Sequence, residues 1–348
     1  MFDDFYRRKT VLVTGHTGFK GSWLALWLSH LGAKVVGYAL PPARAEDNYV
    51  AAGVAELVED FDADVRDQAT LSQCFREVQP DVVFHLAAQS LVLQSYQEPA
   101  ATFDVNVQGT VAVLEAARLT PSVRSIVIVT TDKCYDNRHW PWPYRETDAL
   151  GGHDPYSASK ACAELVAASY RAAFFGGAKV ATARAGNVIG AGDWADNRIV
   201  PDCVRALRAG EPIVLRHPNA VRPWQHVLEP LRGYLMLGAR LYDDPSAAEA
   251  WNFGPPTDER VTVRALVERA IASWGSGHIQ EAAAEAAHKE AMLLTLDISK
   301  ARQLGWRPLL TWAEAVQMTI EGYRVTGGPA VVRAERLAAI ARYMERAG

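Results

Sequence analysis

The sequence predicts an α/β fold, a doubly wound parallel sheet with a second, smaller lobe. Three observations carry that expectation. Short β-branched runs alternate with helical patterns through the first half, the first run opens onto a glycine-rich turn, and the alternation fades beyond residue 185. Apolar runs of about five residues separated by helices mark strands buried on both faces, as in a parallel sheet covered by helices on each side.

In chain order the pattern reads TVLVTG, a helix over Phe19 to Leu31, KVVGYAL, a helix over Asp67 to Val78, DVVFHLAA, a helix over Ala100 to Leu119, and SIVIVTT. Asp154 followed by Pro155 is an N-cap and first-helical-position pair, so a helix is expected from Pro155 to about Phe175, stopped by Gly176 and Gly177. After KVATARAGNVIG come loops rich in Gly, Pro, Asp and Arg, with helices near Ile199 to Arg208 and Glu229 to Leu241. Residues 1–185 are therefore assigned to the first lobe, together with part of 225–250, and residues 186–348 mainly to the second. The Ala-rich stretch Glu281 to Ala291 reads as an ordinary helix. At 348 residues the chain exceeds the roughly 250 to 300 at which a single core stops growing. No low-complexity linker separates the lobes, so they are expected to pack together.

A 49% hydrophobic and 22% charged composition is that of a folded soluble protein and excludes disorder, coiled coil and collagen. The net charge is −4, with Lys and Arg scattered among acids, which argues against a nucleic-acid partner. Cys74, Cys134, Cys162 and Cys203 stand apart without C-x-x-C spacing, the mark of reduced cytoplasmic thiols rather than a disulfide framework or zinc knuckle. The start lacks a signal-peptide pattern, and the apolar stretch Trp23 to Leu40 is broken by His30, Gly32 and Lys34, so no membrane span is expected. His85, His217 and His226 lack metal-ligand spacing, and no metal is expected.

The segment Gly15-His16-Thr17-Gly18-Phe19-Lys20-Gly21 follows the first strand and opens the first helix. Such a turn lets the backbone approach a pyrophosphate while helix N-terminal amides face the anion. A dinucleotide is the expected ligand; a tight turn without one is the bland alternative. The G-x-x-G-x-x-G spacing resembles that of the extended short-chain dehydrogenase/reductases. The resemblance implies a Rossmann-type sheet with residues 15–21 on the cofactor, and Asp64 and Val65 of Asp64-Val65-Arg66 at its adenine. It also implies Leu86, Ala87 and Ala88 along the cofactor, Asn106 as the family's helix asparagine, and Gln89 and Ser90 toward substrate.

An NAD site usually has an acid about 20 residues past the glycines, on the ribose 2′-hydroxyl. VVGYALPPARAED instead offers Tyr38 and no carboxylate at the strand end. No basic residue stands there either, and Arg44, six residues on, reaches a 2′-phosphate only if the loop folds back. NAD is favoured over NADP, with looser ribose binding than usual.

Tyr156 and Lys160 lie at i and i+4, on one helical face where their side chains can meet. An ammonium there favours phenolate and makes the tyrosine a usable base for a sugar hydroxyl. By resemblance, Thr131 hydrogen-bonds that hydroxyl. Asp132 and Lys133 exceed what a simple oxidation needs. Nucleotide-sugar 4,6-dehydratases carry an acid at that place, usually as Thr-Asp-Glu, because hydroxide at C6 is a poor leaving group that must be protonated.

The variant Thr131-Asp132-Lys133, followed by Cys-Tyr, resembles the branch acting on CDP-glucose, as do GHTGFKGSWLALWL, AGNVIGAGDWADNRIVPD, RPWQHV and LDISKARQLGWRP. This implies a hydro-lyase with bound NAD, CDP-glucose as the nucleotide sugar and Asp132 as the acid. Lys133 then serves either as base for the C5 proton or as an ammonium on the enolate. Arg198 and Arg222 are candidates for the substrate pyrophosphate and Asn187 for a substrate contact. The long helices imply a homodimer. A nucleotide-sugar 4-epimerase or NAD(P)-linked reductase of the same fold would not need Asp132, and a non-catalytic nucleotide-binding module would not need Thr131, Tyr156 and Lys160.

Overall fold

A computed structural model describes residues 2, 4–176, 179–256, 260–281 and 294–347. Its strands are β1 (Thr10–Thr14), β2 (Lys34–Ala39), β3 (Glu59–Asp62), β4 (Val82–His85), β5 (Ser125–Val129), β6 (Val180–Ala185), β7 (Val188–Ile189), β8 (Ile213–Leu215), β9 (Gln225–His226), β10 (Ala250–Phe253) and β11 (Ile279–Glu281). Its helices are α1 (Phe19–His30), α2 (Asn48–Ala51), α3 (Gln68–Val78), α4 (Val92–Gln97), α5 (Pro99–Phe103), α6 (Gly109–Arg118), α7 (Pro155–Ala173), α8 (Ile199–Ala209), α9 (Leu228–Asp243), α10 (Val263–Trp274), α11 (Ser299–Gln303), α12 (Trp312–Arg324) and α13 (Pro329–Ala347).

Seven strands form one sheet in the order β10-β6-β5-β4-β1-β2-β3, and every pairing in it is parallel. This is the doubly wound sheet that the alternating runs predict. Strand period two sends Val11 and Val13 to one face, where Trp23, Leu24 and Trp27 of α1 meet Leu231, Tyr234 and Leu235 of α9. Leu12, Val36 and Tyr38 face the other way, against Leu71 and Phe75 of α3 and Val113 of α6. A separate core of α8, α10 and α12, around Trp194 and Trp224, builds the second lobe.

Asp154 caps α7 by accepting from Ser157 N at 2.9 Å, with Pro155 at the first helical position. The helix expected over Ala100 to Leu119 is α5 and α6 joined by a π-helical turn, Asp104–Gln108. That wider turn carries Asn106, and such turns often mark functional positions. The helix expected over Glu281 to Ala291 lies outside the described residues except for Glu281, which ends β11. Gly177, one of the two expected stops of α7, also lies outside them.

Candidate active site

Connections leave β1 and β4, neighbours at the sheet centre, toward opposite edges, which opens a crevice at their carboxyl ends. Gly15 leaves β1 with φ 73, and a Cβ there would lie 2.6 Å from Ala87 N. A Cβ on Gly21 would lie 2.1 Å from Gly15 O. The turn after β1 can therefore close against the segment after β4 only with glycine at both places. Gly18 is exposed and caps α1 without a side-chain hydrogen bond, and no acid occupies the first turn. The first amides of α1 are thus open to an anion, the arrangement a pyrophosphate requires.

Several neighbours differ from expectation. The His16 ring is fully buried, with Nε2 at 2.8 Å from Asp60 Oδ1. It lies where a Cβ on Gly37 would come within 2.3 Å. Burial lowers its pKa, Asp60 opposing, so this residue offers the crevice its backbone and not its imidazole. Thr17 donates to Leu40 O at 2.9 Å and ties the glycine turn to the exit of β2. Tyr38 does not stand open at the ribose end: it is fully buried and donates to Asp64 O at 3.2 Å. Arg44 turns to Trp194 O and the Asp196 carboxylate of the second lobe. The Asp64 carboxylate pairs with Arg66 at 2.6 Å, which holds it below the usual range.

Asn106 is a clamp. Its Oδ1 accepts from Gln89 N at 2.9 Å, and its Nδ2 donates to Gln89 O at 3.0 Å and Ser159 Oγ at 2.8 Å. It fixes the exit of β4, and its buried amide is already satisfied by the protein. Gln89 is likewise engaged, its Nε2 donating to Leu91 O at 3.1 Å and Thr102 Oγ1 at 2.9 Å. Val65 packs beside Gly109, where a Cβ would meet its Cγ1 at 2.8 Å.

Thr131 ends the run of β5 and caps a single 3₁₀ turn, Asp132–Cys134. Its hydroxyl donates to Asp132 Oδ1 at 3.0 Å and accepts from Lys133 N at 3.3 Å. Asp132 is 1% exposed, and its Oδ2 has no hydrogen-bond partner among the described residues. Space for this carboxyl comes from Gly186, whose absent Cβ would lie 1.9 Å from Oδ2. Tyr156 reaches the same point from α7. Burial pushes the phenol up to about 12; the nearby Thr131 hydroxyl and the Arg198 charge pull it down, while Asp132 pushes it up. Lys160 does not take up the phenol as expected: its Nζ donates to Val129 O at 3.1 Å. Burial lowers its ammonium to about 8, against the charge of Glu164. Lys133 is half-buried.

The GDP-mannose 4,6 dehydratase family model matches residues 12–319, which span both lobes. The chain belongs to that family. It is 45% identical over 314 residues to the CDP-glucose 4,6-dehydratase of Salmonella typhimurium, covering 88% of each chain. Among solved structures it resembles a dTDP-glucose 4,6-dehydratase from Streptomyces venezuelae with NAD and TYD bound, at 27% identity and TM-score 0.77 over 90% of this chain and 97% of that one. A UDP-glucose 4-epimerase from Thermus thermophilus in complex with NAD is as near in fold, at 26% identity and TM-score 0.77 over 91% of this chain and 100% of the other. The fold alone therefore does not separate dehydration from epimerisation.

In this member of the GDP-mannose 4,6 dehydratase family, charged groups of both lobes converge on Asp132. Lys20, from the first turn of α1, is lowered to about 8 by burial and by the charges of Arg198 and Lys160, with Asp132 and Asp193 opposing. Lys20 is expected on the cofactor from the glycine turn, yet the charges acting on it are those of the Asp132 cluster. Arg198 joins the lobes, donating to Asp193 Oδ2 at 2.8 Å and to Ser90 Oγ at 3.3 Å. Arg222 does not share these partners. It lies in a cleft lined by Val221, Pro223, Pro255, Pro256, Thr295 and Leu296. Asn187 follows Gly186 with φ 46, a left-handed conformation asparagine tolerates. The sequence reading missed Gly186 and Asp193. Asp193 stands five residues before the arginine it holds, a spacing that carries no helical or strand signal. His85 and His226 are core histidines, each pushed down to about 3 by burial. No candidate metal cluster occurs among the described residues.

Proposed function

We propose that this chain is a CDP-glucose 4,6-dehydratase, a hydro-lyase that converts CDP-glucose to CDP-4-keto-6-deoxyglucose with NAD regenerated in each turnover. The observation that carries the reading is the buried Asp132 carboxyl, hydrogen-bonded to Thr131 and electrostatically coupled to Tyr156. Epimerisation and simple reduction give that acid no task.

The glycine cradle and the uncapped start of α1 fit the pyrophosphate of NAD. Arg44, which follows β2 in sequence, is engaged with Asp196 rather than turned to a 2′-phosphate, which favours NAD over NADP. Residues 15–21, Asp64, Val65 and 86–88 line the cofactor side, while Tyr38 and Asn106 shape it from beneath. Bound NAD supplies the carrier for the hydrogen that leaves C4 and returns to C6. Thr131 orients the C4 hydroxyl, and Tyr156 takes its proton. The Arg198 charge favours the phenolate, and an oxidised nicotinamide bound alongside would add to it. Lys160 fixes the end of β5 and faces the ribose. Asp132 delivers a proton to the departing C6 hydroxyl, so one water leaves per sugar. Lys133, next along the same turn, serves the C5 position as base or as counter-charge. Arg198, Arg222 and Asn187 take the nucleotide side, with Ser90 and the backbone of Gln89 near the hexose.

Apolar side chains stand exposed on neighbouring helices: Leu93 at 38% on α4, Phe103 at 37% on α5 and Leu165 at 60% on α7. We read this face as a homodimer contact. Four unpaired cysteines and no helix long and apolar enough to cross a membrane among the described residues accord with a cytoplasmic enzyme.

The test is incubation with CDP-glucose, UDP-glucose and GDP-mannose followed by mass analysis. Loss of one water from CDP-glucose, without consumption of added NAD, is expected. Interconversion at C4 with the mass unchanged would establish the epimerase instead.

A further inference from the structure

Behind the cluster, α7 inserts a second carboxylate. Tyr156, Lys160 and Glu164 succeed one another at four-residue intervals along one helix face. Two of them hold successive residues at the end of β5: Lys160 Nζ donates to Val129 O, and Glu164 Oε1 accepts from Thr130 Oγ1 at 2.5 Å; Tyr156 stands beside the next, Thr131. Glu164 is 3% exposed, and its Oε2 also accepts from Thr182 Oγ1 at 2.7 Å and Arg184 Nη2 at 2.8 Å. Arg184 Nη1 continues to Tyr135 Oη at 2.8 Å. One buried ion pair thus grips both flanks of the Asp132–Cys134 turn, at Thr130 and at Tyr135.

A buried ion pair adds little stability relative to well-packed apolar groups, and its strict geometry is better suited to fixing position. We propose that Glu164, held by Arg184, is a positioning residue for the dehydration, aiming Thr131 and Asp132 and providing the counter-charge to Lys160. The inference rests on the reading of the site as a dehydratase. The titratable or charged groups that act on Lys160 are Glu164 on its own helix, Cys134 beyond β5, Lys20 of α1 and His85 of β4. Burial raises the Cys134 thiol well above its usual value and lowers His85 to about 3, so both are neutral near pH 7. Lys20 adds like charge. Glu164 is the one carboxylate among them.

The experiment is the pH profile of CDP-glucose dehydration by wild type and Glu164→Gln. Without its counter-charge Lys160 loses its proton at lower pH, so the alkaline limb of kcat/KM should move down by about one pH unit, with kcat lowered at fixed KM. Should the buried arginine left alone prevent folding, Glu164→Gln with Arg184→Met removes both members of that ion pair and is expected to show the same shift. An alkaline limb unmoved in a folded variant, with activity reduced only in proportion to the folded fraction, overturns the inference alone. A wild-type chain that removes no water from any nucleotide sugar overturns the reading of the site, and the inference with it.

Discussion

Gly186 and Asp132 share a space that holds only one side chain. A Cβ on Gly186 would lie 1.9 Å from Asp132 Oδ2 and 2.1 Å from its Cγ, so the strand exit after β6 decides where the acid points. Gly186→Ala is expected to displace the carboxyl and lower kcat for water loss by roughly 10²-fold, the scale of a misplaced general acid. KM should change little. Steady-state kinetics with CDP-glucose check both values.

Asp132→Asn keeps the size and the hydrogen bond but has no proton to deliver. Elimination should fall by roughly 10²-fold or more, while hydrogen still leaves C4. Reduced nicotinamide should therefore accumulate on the enzyme after mixing with CDP-glucose, as a single-turnover absorbance trace would show. A trace that returns to baseline at the wild-type rate would remove Asp132 from the acid role.

Burial lowers Lys160 to about 8, below the usual lysine value of 10.5. Below pH 8 both folded and unfolded chains hold that proton, and the folded chain carries the full cost of the buried charge. Between about 8 and 10.5 the unfolded chain binds more protons, so this group's contribution to stability rises with pH. Relative to Lys160→Met, the wild-type melting temperature should climb between pH 8 and 9. A constant difference across that range would contradict the shift.

Arg198 bridges Asp193 and Ser90 across the two lobes. On the proposed reading it also meets the nucleotide pyrophosphate, where charge-assisted hydrogen bonds contribute about 1.5–3 kcal/mol. Arg198→Ala should raise KM for CDP-glucose roughly 10- to 100-fold with a smaller effect on kcat. Titration calorimetry with CDP separates loss of binding from loss of turnover.

Arg44, the arginine that follows β2 in sequence, is held by Asp196 and turned away from a 2′-phosphate. NAD should bind at least about tenfold more tightly than NADP, the ratio that one missing charged contact of about 1.4 kcal/mol gives. Arg44→Ala should leave that preference in place, as competition binding would reveal.

Most of the sheet was readable because its strands are short apolar runs separated by helical patterns; β3, Glu59–Asp62, reads EDFD and gives no such run. The glycine turn and the two reactive pairs, Thr131-Asp132 and Tyr156-Lys160, were readable because their members are near in sequence. Residues that meet through the fold were not. Gly186 reaches Asp132 from a different strand, and the direction of Lys160 depends on a rotamer that spacing does not fix. Tyr38 was misplaced although the signal was present: strand period two puts it on the same face as Val36, inside the core. Asn106 was found as a residue but not as a clamp, because the π turn that swings its amide toward Gln89 has no signature in the periodicity.

The most direct measurement follows two labels in parallel reactions, CDP-glucose carrying deuterium at C4 in ordinary water and unlabelled CDP-glucose in deuterated water. The C4 label should migrate to C6 in the first, solvent deuterium should enter at C5 in the second, and each product should have lost the C6 oxygen as water. A C4 label that returns to C4, with the C6 oxygen retained, would contradict it.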